Sequence, residues 1–406
     1  MKLDASNVTG SALHVDVVDT WAEFEALKPA WETLQSKDPD GTMFLNWDWM
    51  AEAFRDNAFR WSVLVVRAEP GAQDILCLLP LKYRVHWSRS KGEFHSEIEA
   101  GGRLLWSEYT GFLCDPRFEA QGIDAVAAKL VQLPWTYLTM RYVVQENRAR
   151  RFLNALDANG CSGRFKDYMI NDGTINNLLC PQVPLPDDFE DFLTKQISAN
   201  RRQKWRRFMR MRVESNETHF AVSTPETAEQ DIDTLLTNWM GKRGEIRGEA
   251  TATKVSSNYR DVLMTAHKQG NLFLSSLCLG DRTLGALGHV VDRERGRVHF
   301  IVAGRDVDAK DPFIGAALHF FSIQWAIENG FTLYDFCHGN EEYKYSFGAQ
   351  DHEVYYFSAR RDAYNPHFAF DSISTGEALQ RIQEFIKDGK TDRAMRACNQ
   401  LSALLS

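Results

Sequence analysis

The second half of the chain is patterned as short apolar runs separated by charged turns. Residues 272–279, 284–291 and 298–303 are rich in Leu, Val, Ile and Phe, and Gly280 and Gly296 sit among charged residues between them. Such runs, bounded by turn residues, predict a three-strand meander. Asp311 and Pro312 disfavour helix on their N-terminal side and suit a helix start. From there Ile314, Leu318, Phe321 and Trp325 recur at helical spacing, with Ala317, Phe320 and Ile323 on the flanks. That predicts a largely buried helix, ended by Asn329 and Gly330. Residues 332–337 read as the next strand. Upstream, helices are predicted over 187–214, from Pro225 through Trp239 and over 255–269, with a strand at 218–223. Downstream, 354–359 reads as a strand and 376–405 as an amphipathic helical tail.

The first half has a similar order of elements but no residue-level repeat of the second. Residues 14–18 predict a strand, and Thr20 with Glu23 forms a capping box for a helix whose apolar face carries Trp21, Phe24, Leu27 and Trp31. A second helix is expected over 45–54. Strands are expected at 61–66, 75–83, 108–114, 136–143 and near 164–179, with Pro70 and Gly71 turning the first hairpin. Helices are expected at 120–132 and 147–159. Three prolines within 180–186 (Pro181, Pro184 and Pro186) stiffen the backbone and suggest an inter-domain connection, giving domains 1–180 and 187–406.

Composition narrows the function. At 406 residues with 44% hydrophobic residues, the chain has material for two to three cored domains rather than disorder. No apolar run reaches the roughly 18–20 residues of a membrane span, and the N-terminus has no charged-then-apolar leader layout. Seven cysteines without a CxxC spacing suit reduced thiols in a cytoplasm, and no His or Cys spacing predicts a metal. A net charge of −8 disfavours a general nucleic-acid binder.

Candidate chemistry concentrates in two places. Asp335 lies inside the apolar run 333–336, where a carboxylate needs a partner because burying it alone costs several kcal/mol. Directly after it come His338, Glu341, Tyr343 and Lys344, at a strand's C-terminal end where ligands bind in such sheets. Glu341 and His338 are the base candidates. Asp335 is a candidate to orient His338 or Lys344, and Tyr343 and Lys344 to bind acceptor or protonate a leaving group. The second place is the basic helix around 201–212. Counting 100° per residue from Leu193 and Ile197 puts Asn200, Arg201 and Lys204 on the inward stripe and Arg202, Arg206 and Arg210 outward. Inward polar residues need a buried carboxylate or a ligand as partner. His289 and His299 read as packing histidines, and no Ser-His-Asp or Cys-His set is visible.

These residues also carry a resemblance. The order strand, turn with Gly315-x-Ala317, helix, strand resembles the acyl-CoA-binding half of GNAT acetyltransferases, with Pro312 standing where that superfamily usually has Gln or Arg. The ending Tyr334-Asp335-Phe336, Gly339, Glu341, Tyr343-Lys344 resembles the branch found beside cellulose and exopolysaccharide synthesis genes, itself similar to Fem-type aminoacyl transferases. Ser198, Asn200, Arg202, Arg206 and Arg207 match the same branch's basic signature. The resemblance implies an α/β (α+β) fold of two tandem GNAT-like domains, each a mixed, mostly antiparallel sheet flanked by helices, the first degenerate. It implies acyl transfer from acetyl-CoA or another acyl-CoA to an amine or hydroxyl, such as one on a saccharide, without a metal. The donor would lie on Ala303, Phe313, Ile314, Gly315, Ala316 and Ala317, and the acceptor near Asn200, Arg201 and Lys204. Aminoacyl transfer from charged tRNA, or a non-catalytic role beside a polysaccharide synthase, are the alternatives.

Overall fold

The computed structural model describes residues 13–57, 60–247, 249–362 and 372–405; the stretch on which the leader reading rests, residues 1–12, lies outside them. Two units result, one from residues up to Tyr168 together with those from Val354 onward, the other from Met169 to Glu353.

In the first unit β1 (His14–Val18) leads into α1 (Trp21–Ala26), α2 (Lys28–Lys37) and α3 (Trp47–Arg55). Thr20 caps α1 as expected, its hydroxyl accepting from Glu23 N and donating to the Glu23 carboxylate. A meander follows in β2 (Trp61–Arg67), β3 (Cys77–Ser88) and β4 (Glu93–Ala100), then β5 (Leu113–Cys114), α4 (Glu119–Leu130), β6 (Tyr137–Val143), α5 (Glu146–Ala158) and β7 (Cys161–Phe165). Sequence reading misses β4, where Glu93, Glu97 and Glu99 dilute the apolar signal. Its buried face is the alternating set Phe94, Ser96 and Ile98. Of the expected strand 108–114, Leu113 and Cys114 form β5, and Thr110 makes an isolated parallel bridge to Val143.

The second unit starts with the small pair β8 (Met169–Ile170) and β9 (Ile175–Asn176), then β10 (Leu179–Pro184), α6 (Phe189–Lys195) and α7 (Ala199–Phe208), which runs into a π-helical turn at Met209–Val213. β11 (His219–Val222), α8 (Ala228–Arg247) and α9 (Glu249–Lys268) precede the meander β12 (Leu272–Leu279), β13 (Arg282–Asp292) and β14 (Arg297–Arg305). Then come α10 (Ile314–Glu328), β15 (Leu333–Asp335), the single turn α11 (Glu342–Tyr345) and β16 (Gln350–Glu353). The sheet order is β11-β12-β13-β14-β15-β10-β16, antiparallel except for β14 beside β15. Helix α10 covers one face, and α8 and α9 the other. Gly304 lets α8 come close, since a Cβ there would lie 2.1 Å from the Leu235 carbonyl oxygen.

The chain then returns to the first unit. β17 (Tyr355–Arg361) enters between β6 and β7, completing the order β1-β2-β3-β4-β6-β17-β7 with β4 and β6 parallel. α12 (Ser372–Lys387) and α13 (Thr391–Leu405) pack on β3 and β4 through Ile382, Phe385 and Ala397. Each unit is therefore a mixed, mostly antiparallel sheet flanked by helices, the α/β architecture expected.

The expected boundaries are corrected. Residues 180–186 are not a connection: most of them form β10, an inner strand, and the stiff extended backbone that prolines favour serves there as well as in a linker. Pro181 has no N–H to give, and its carbonyl accepts from Phe336 N at 2.9 Å. The strand and helical tail expected at the end of the second domain belong to the first unit, because Phe357 and its neighbours pair with β6 and β7. The single helix expected over 187–214 breaks between Gln196 and Ser198. Among the described residues no helix is long and apolar enough to cross a membrane.

One buried ion pair ties the first unit's helices to its sheet. Arg148 on α5 meets Asp38 through two parallel bonds of 2.7 and 2.8 Å, and both side chains are essentially sealed from solvent. Asp38 also accepts from Cys114 N, and Arg148 donates to Phe112 O. Arg148→Met strands the carboxylate and is expected to lower stability by about 3–5 kcal/mol in denaturant unfolding, whereas Arg148→Met with Asp38→Leu recovers most of it. Equal losses in both variants would show that the charge pairing is not what matters.

Candidate functional site

The second sheet splits where the parallel pair β14–β15 ends. β14 and β15 are in register at Arg297 with Leu333, Val298 with Tyr334 and His299 with Asp335, and no further. Beyond Asp335 the chain follows β10, through Phe336 N to Pro181 O and Gly339 N to Leu179 O, both 2.9 Å. β14 continues along β13, with Ile301 inserted as an extra residue between Phe300 and Val302. The fork lies on the C-terminal side of the parallel pairing, the side on which open sheets bind ligands.

The strand beside the fork carries consecutive buried polar residues, which point to opposite faces. Asp335 is fully buried. Its carboxylate accepts from Cys337 N at 2.8 Å and from Gln182 Nε2 at 3.2 Å, and lies 3.1 Å from His299 Nδ1. Of the partners expected for it, Arg201 lies instead over the Phe347 ring and Lys344 donates to main-chain carbonyls. His299 faces Asp335 because parallel pairing aligns them, a relation that periodicity along one strand cannot display. His299, Asp335 and Cys337 bring a nitrogen, an oxygen and a sulfur within 4.8 Å of one another, a grouping with metal-ligand chemistry.

On the α10 face, the Tyr334 hydroxyl lies 2.8 Å from His289 Nε2 and 2.9 Å from Nδ1 of His319 on α10. His289 Nδ1 faces the Phe273 carbonyl at 3.1 Å. Burial pushes His289 down to about 3, and burial with the nearby His289, Lys344 and Arg201 holds His319 well below its ordinary value. Sequence reading treats His289 as packing and passes over His319. The available signal is a lone imidazole within the apolar run 317–321.

The polar tip after β15 is organised by Lys344. Its buried ammonium donates to the carbonyls of Phe336, His338 and Gly339 at 3.2, 2.8 and 2.7 Å and pairs with Glu341 at 2.9 Å. Wrapping the chain around it takes left-handed backbone at Cys337 (φ 53°) and Gly339 (φ 94°), and a Cβ at Gly339 would sit 2.8 Å from the Glu341 carboxylate. Lys344 thus aims its protons at the protein's own main chain. His338 Nδ1 lies 3.3 Å from Cys180 Sγ, and the Tyr343 ring is 42% exposed beside His319.

Of the acceptor candidates, only Arg201 turns inward. Its guanidinium lies 4.5 Å over the Phe347 ring, with Nε enclosed and unbonded. Asn200 and Lys204 are exposed, and Arg202 instead donates to Leu193 O at 3.0 Å. The break before α7 resets the helical phase, so counting from Leu193 misplaces these residues. Of the donor candidates, Ile314 lines a cleft of about 270 Å³ together with Arg212, Arg282, Lys310 and Asp311. Gly315 is exposed at the start of α10, Ala316 and Phe313 are half-buried, Ala303 is exposed, and Ala317 is sealed in the core. Asp311 lies just before this end, its carboxylate accepting from Phe313 N at 2.9 Å.

Two measurements test this arrangement. Lys344→Met is expected to reduce stability by about 2–3 kcal/mol, because charge-assisted bonds to three carbonyls vanish. In the unfolded chain His289 titrates near 6.5, and folding lowers this to about 3. The unfolded state therefore binds more protons between those values, and stability falls as pH drops through that window, by roughly 1.4 kcal/mol per unit for this group. His319 acts in the same direction. A stability–pH curve unchanged by His289→Asn would contradict the assignment.

Comparison with known proteins agrees with the fold. The model described as Acetyltransferase (GNAT) domain matches residues 199–345. No curated protein matches the chain. The crystal structure of FemX has a similar fold, at 14% identity and a TM-score of 0.56, over 82% of this chain and 95% of that one. A tandem GNAT protein from the clavulanic acid biosynthesis pathway aligns at 12% identity and TM-score 0.49, over 87% and 100% of the two chains. L-PGS from Bacillus licheniformis aligns at 12% identity and TM-score 0.43, over 71% and 82%. The fork, α10 and the Lys344 loop thus all lie within the stretch, from the start of α7 to the end of α11, that matches the GNAT acetyltransferase domain.

Proposed function

We propose that the second unit transfers an acetyl or other acyl group from acyl-CoA to an amine or hydroxyl acceptor. The observation that carries this reading is Gly315. It is exposed in the first turn of α10, its φ does not demand glycine, and nothing lies within 4 Å of the Cβ it lacks. Packing gives no reason for glycine there, whereas close approach of a phosphate to helix N-terminal amides does. The neighbouring cleft offers Arg212, Arg282 and Lys310 to such a ligand. Arg212 is held by Glu217 and, more loosely, by Asp311, and Arg282 by Asp306 and Asp308, contacts a phosphate would compete with.

In this reading the acyl carbon sits at the fork and the acceptor enters past Tyr343 and Arg201. Lys344 positions the loop rather than meeting substrate. An acceptor carried on a saccharide of exopolysaccharide, cellulose or cell-envelope synthesis is supported only by the likeness of the ending 334–344. Aminoacyl transfer from charged tRNA is a second reading, favoured by Asp311, whose carboxylate already fills part of the anion position at the start of α10.

Calorimetric titration with CoA, acetyl-CoA and a long-chain acyl-CoA tests the donor. Micromolar binding is expected, weakened at least about tenfold in Gly315→Trp, whose side chain would enter the approach without disturbing the core. No binding at millimolar ligand overturns the acyl-CoA assignment. Salt-sensitive tRNA binding lost on replacing Arg206 and Arg207 with Ala would then support the second reading.

A further inference from the structure

We infer that His319 is the catalytic base of this site, presented at the fork by a fixed chain of hydrogen bonds through Tyr334 and His289. The inference rests on the acyl-transfer reading and adds a residue that the candidate set lacks.

The chain of bonds has a defined direction because its far end is a carbonyl. The Phe273 oxygen only accepts, so His289 Nδ1 carries a hydrogen and donates to it. No carboxylate contacts His289, which is fully buried and neutral, so its Nε2 is an acceptor. Tyr334 therefore spends its one hydroxyl hydrogen on His289 Nε2. The tyrosine oxygen is then left to accept, and His319 Nδ1 must donate to it. The outcome is a neutral His319 whose Nε2 holds a bare lone pair.

The ring that carries this lone pair packs at the fork. The His319 ring lies 4.8 Å from Phe300 and 5.0 Å from Phe336, the residues that directly follow the last parallel pair, His299 with Asp335. Phe347 and the half-exposed Tyr343 complete its surroundings at 5.4 and 5.8 Å. Among the described residues Nε2 makes no hydrogen bond, and it is not one of the fully enclosed unbonded atoms, unlike Arg201 Nε. The charged and titratable groups around it are His289 from β13, Tyr334 from β15, Tyr343 and Lys344 from α11, and Arg201 from α7. Burial first, then His289 and the cations Lys344 and Arg201, keep the ring unprotonated.

In the reaction, the acceptor nitrogen or oxygen forms a bond to the acyl carbon while its proton passes to His319 Nε2. The carbon–sulfur bond breaks with its electron pair on sulfur, and Nε2 returns the proton to that thiolate. Tyr334 and His289 are positioning residues, since they hold the tautomer without touching the reactants.

The test combines two readouts on the full-length protein. Long-range nitrogen–proton NMR with labelled histidine is expected to show His319 as the Nδ1–H tautomer at neutral pH, its bare Nε2 signal moving on addition of CoA. An Nε2–H tautomer overturns the inference whether or not the protein is active. Thiol release from acetyl-CoA with amine and hydroxyl acceptors is the second readout. His319→Asn keeps a donor for Tyr334 and is expected to lower kcat on the order of 100-fold with CoA affinity unchanged. Tyr334→Phe is expected to lose less and to displace the pH–rate profile. Wild-type turnover with His319→Asn equally active sinks the base alone, whereas an inert wild type sinks the acyl-transfer reading.

Discussion

A hydroxyl and a carboxylate buried on consecutive residues of one short strand dominate the second unit. Tyr334 and Asp335 point to opposite faces of the sheet, and neither reaches water. Leaving either unpaired would cost several kcal/mol, so the surrounding elements must supply partners. β10 contributes Gln182, β14 contributes His299, β13 contributes His289 and α10 contributes His319. Satisfying two side chains thereby fixes the mutual placement of three strands and a helix around β15. The fork between β14 and β15 inherits its rigidity from this arrangement.

The loop after β15 follows the same logic with the sign reversed. A buried cation replaces the buried anion, and main-chain carbonyls replace side-chain donors. The strained conformation at Cys337 persists because Lys344 over-determines the loop around it. A loop held this way presents Tyr343 and Glu341 without needing a ligand to order them.

What the sequence discloses follows from which forces are local. The strands near 272–279, 284–291 and 298–303 and the helix from Ile314 are legible because alternation, turn residues and helical spacing are properties of neighbours along the chain. The Asp335–His299 contact is not, since residues 36 positions apart meet only through strand pairing. A helical phase counted across the break of three residues finds Arg201 inward but misplaces Asn200 and Lys204, which are exposed. β4 hides behind its glutamates, and β10 behind its prolines. Asp335 stood out as a polar residue in an apolar run; His319 offers the same signal within a buried helix.

The placement of β17 bears on how the protein comes into being. Ribosomal synthesis delivers β6 and β7 early, but the strand that belongs between them emerges only after all of Met169–Glu353 has been made. The second unit is continuous in sequence and can fold as it leaves the tunnel. The first must wait with two unpaired strand edges, the kind of surface that invites pairing with other chains. The interval for which those edges stay open during translation is set by the length of the neighbouring unit.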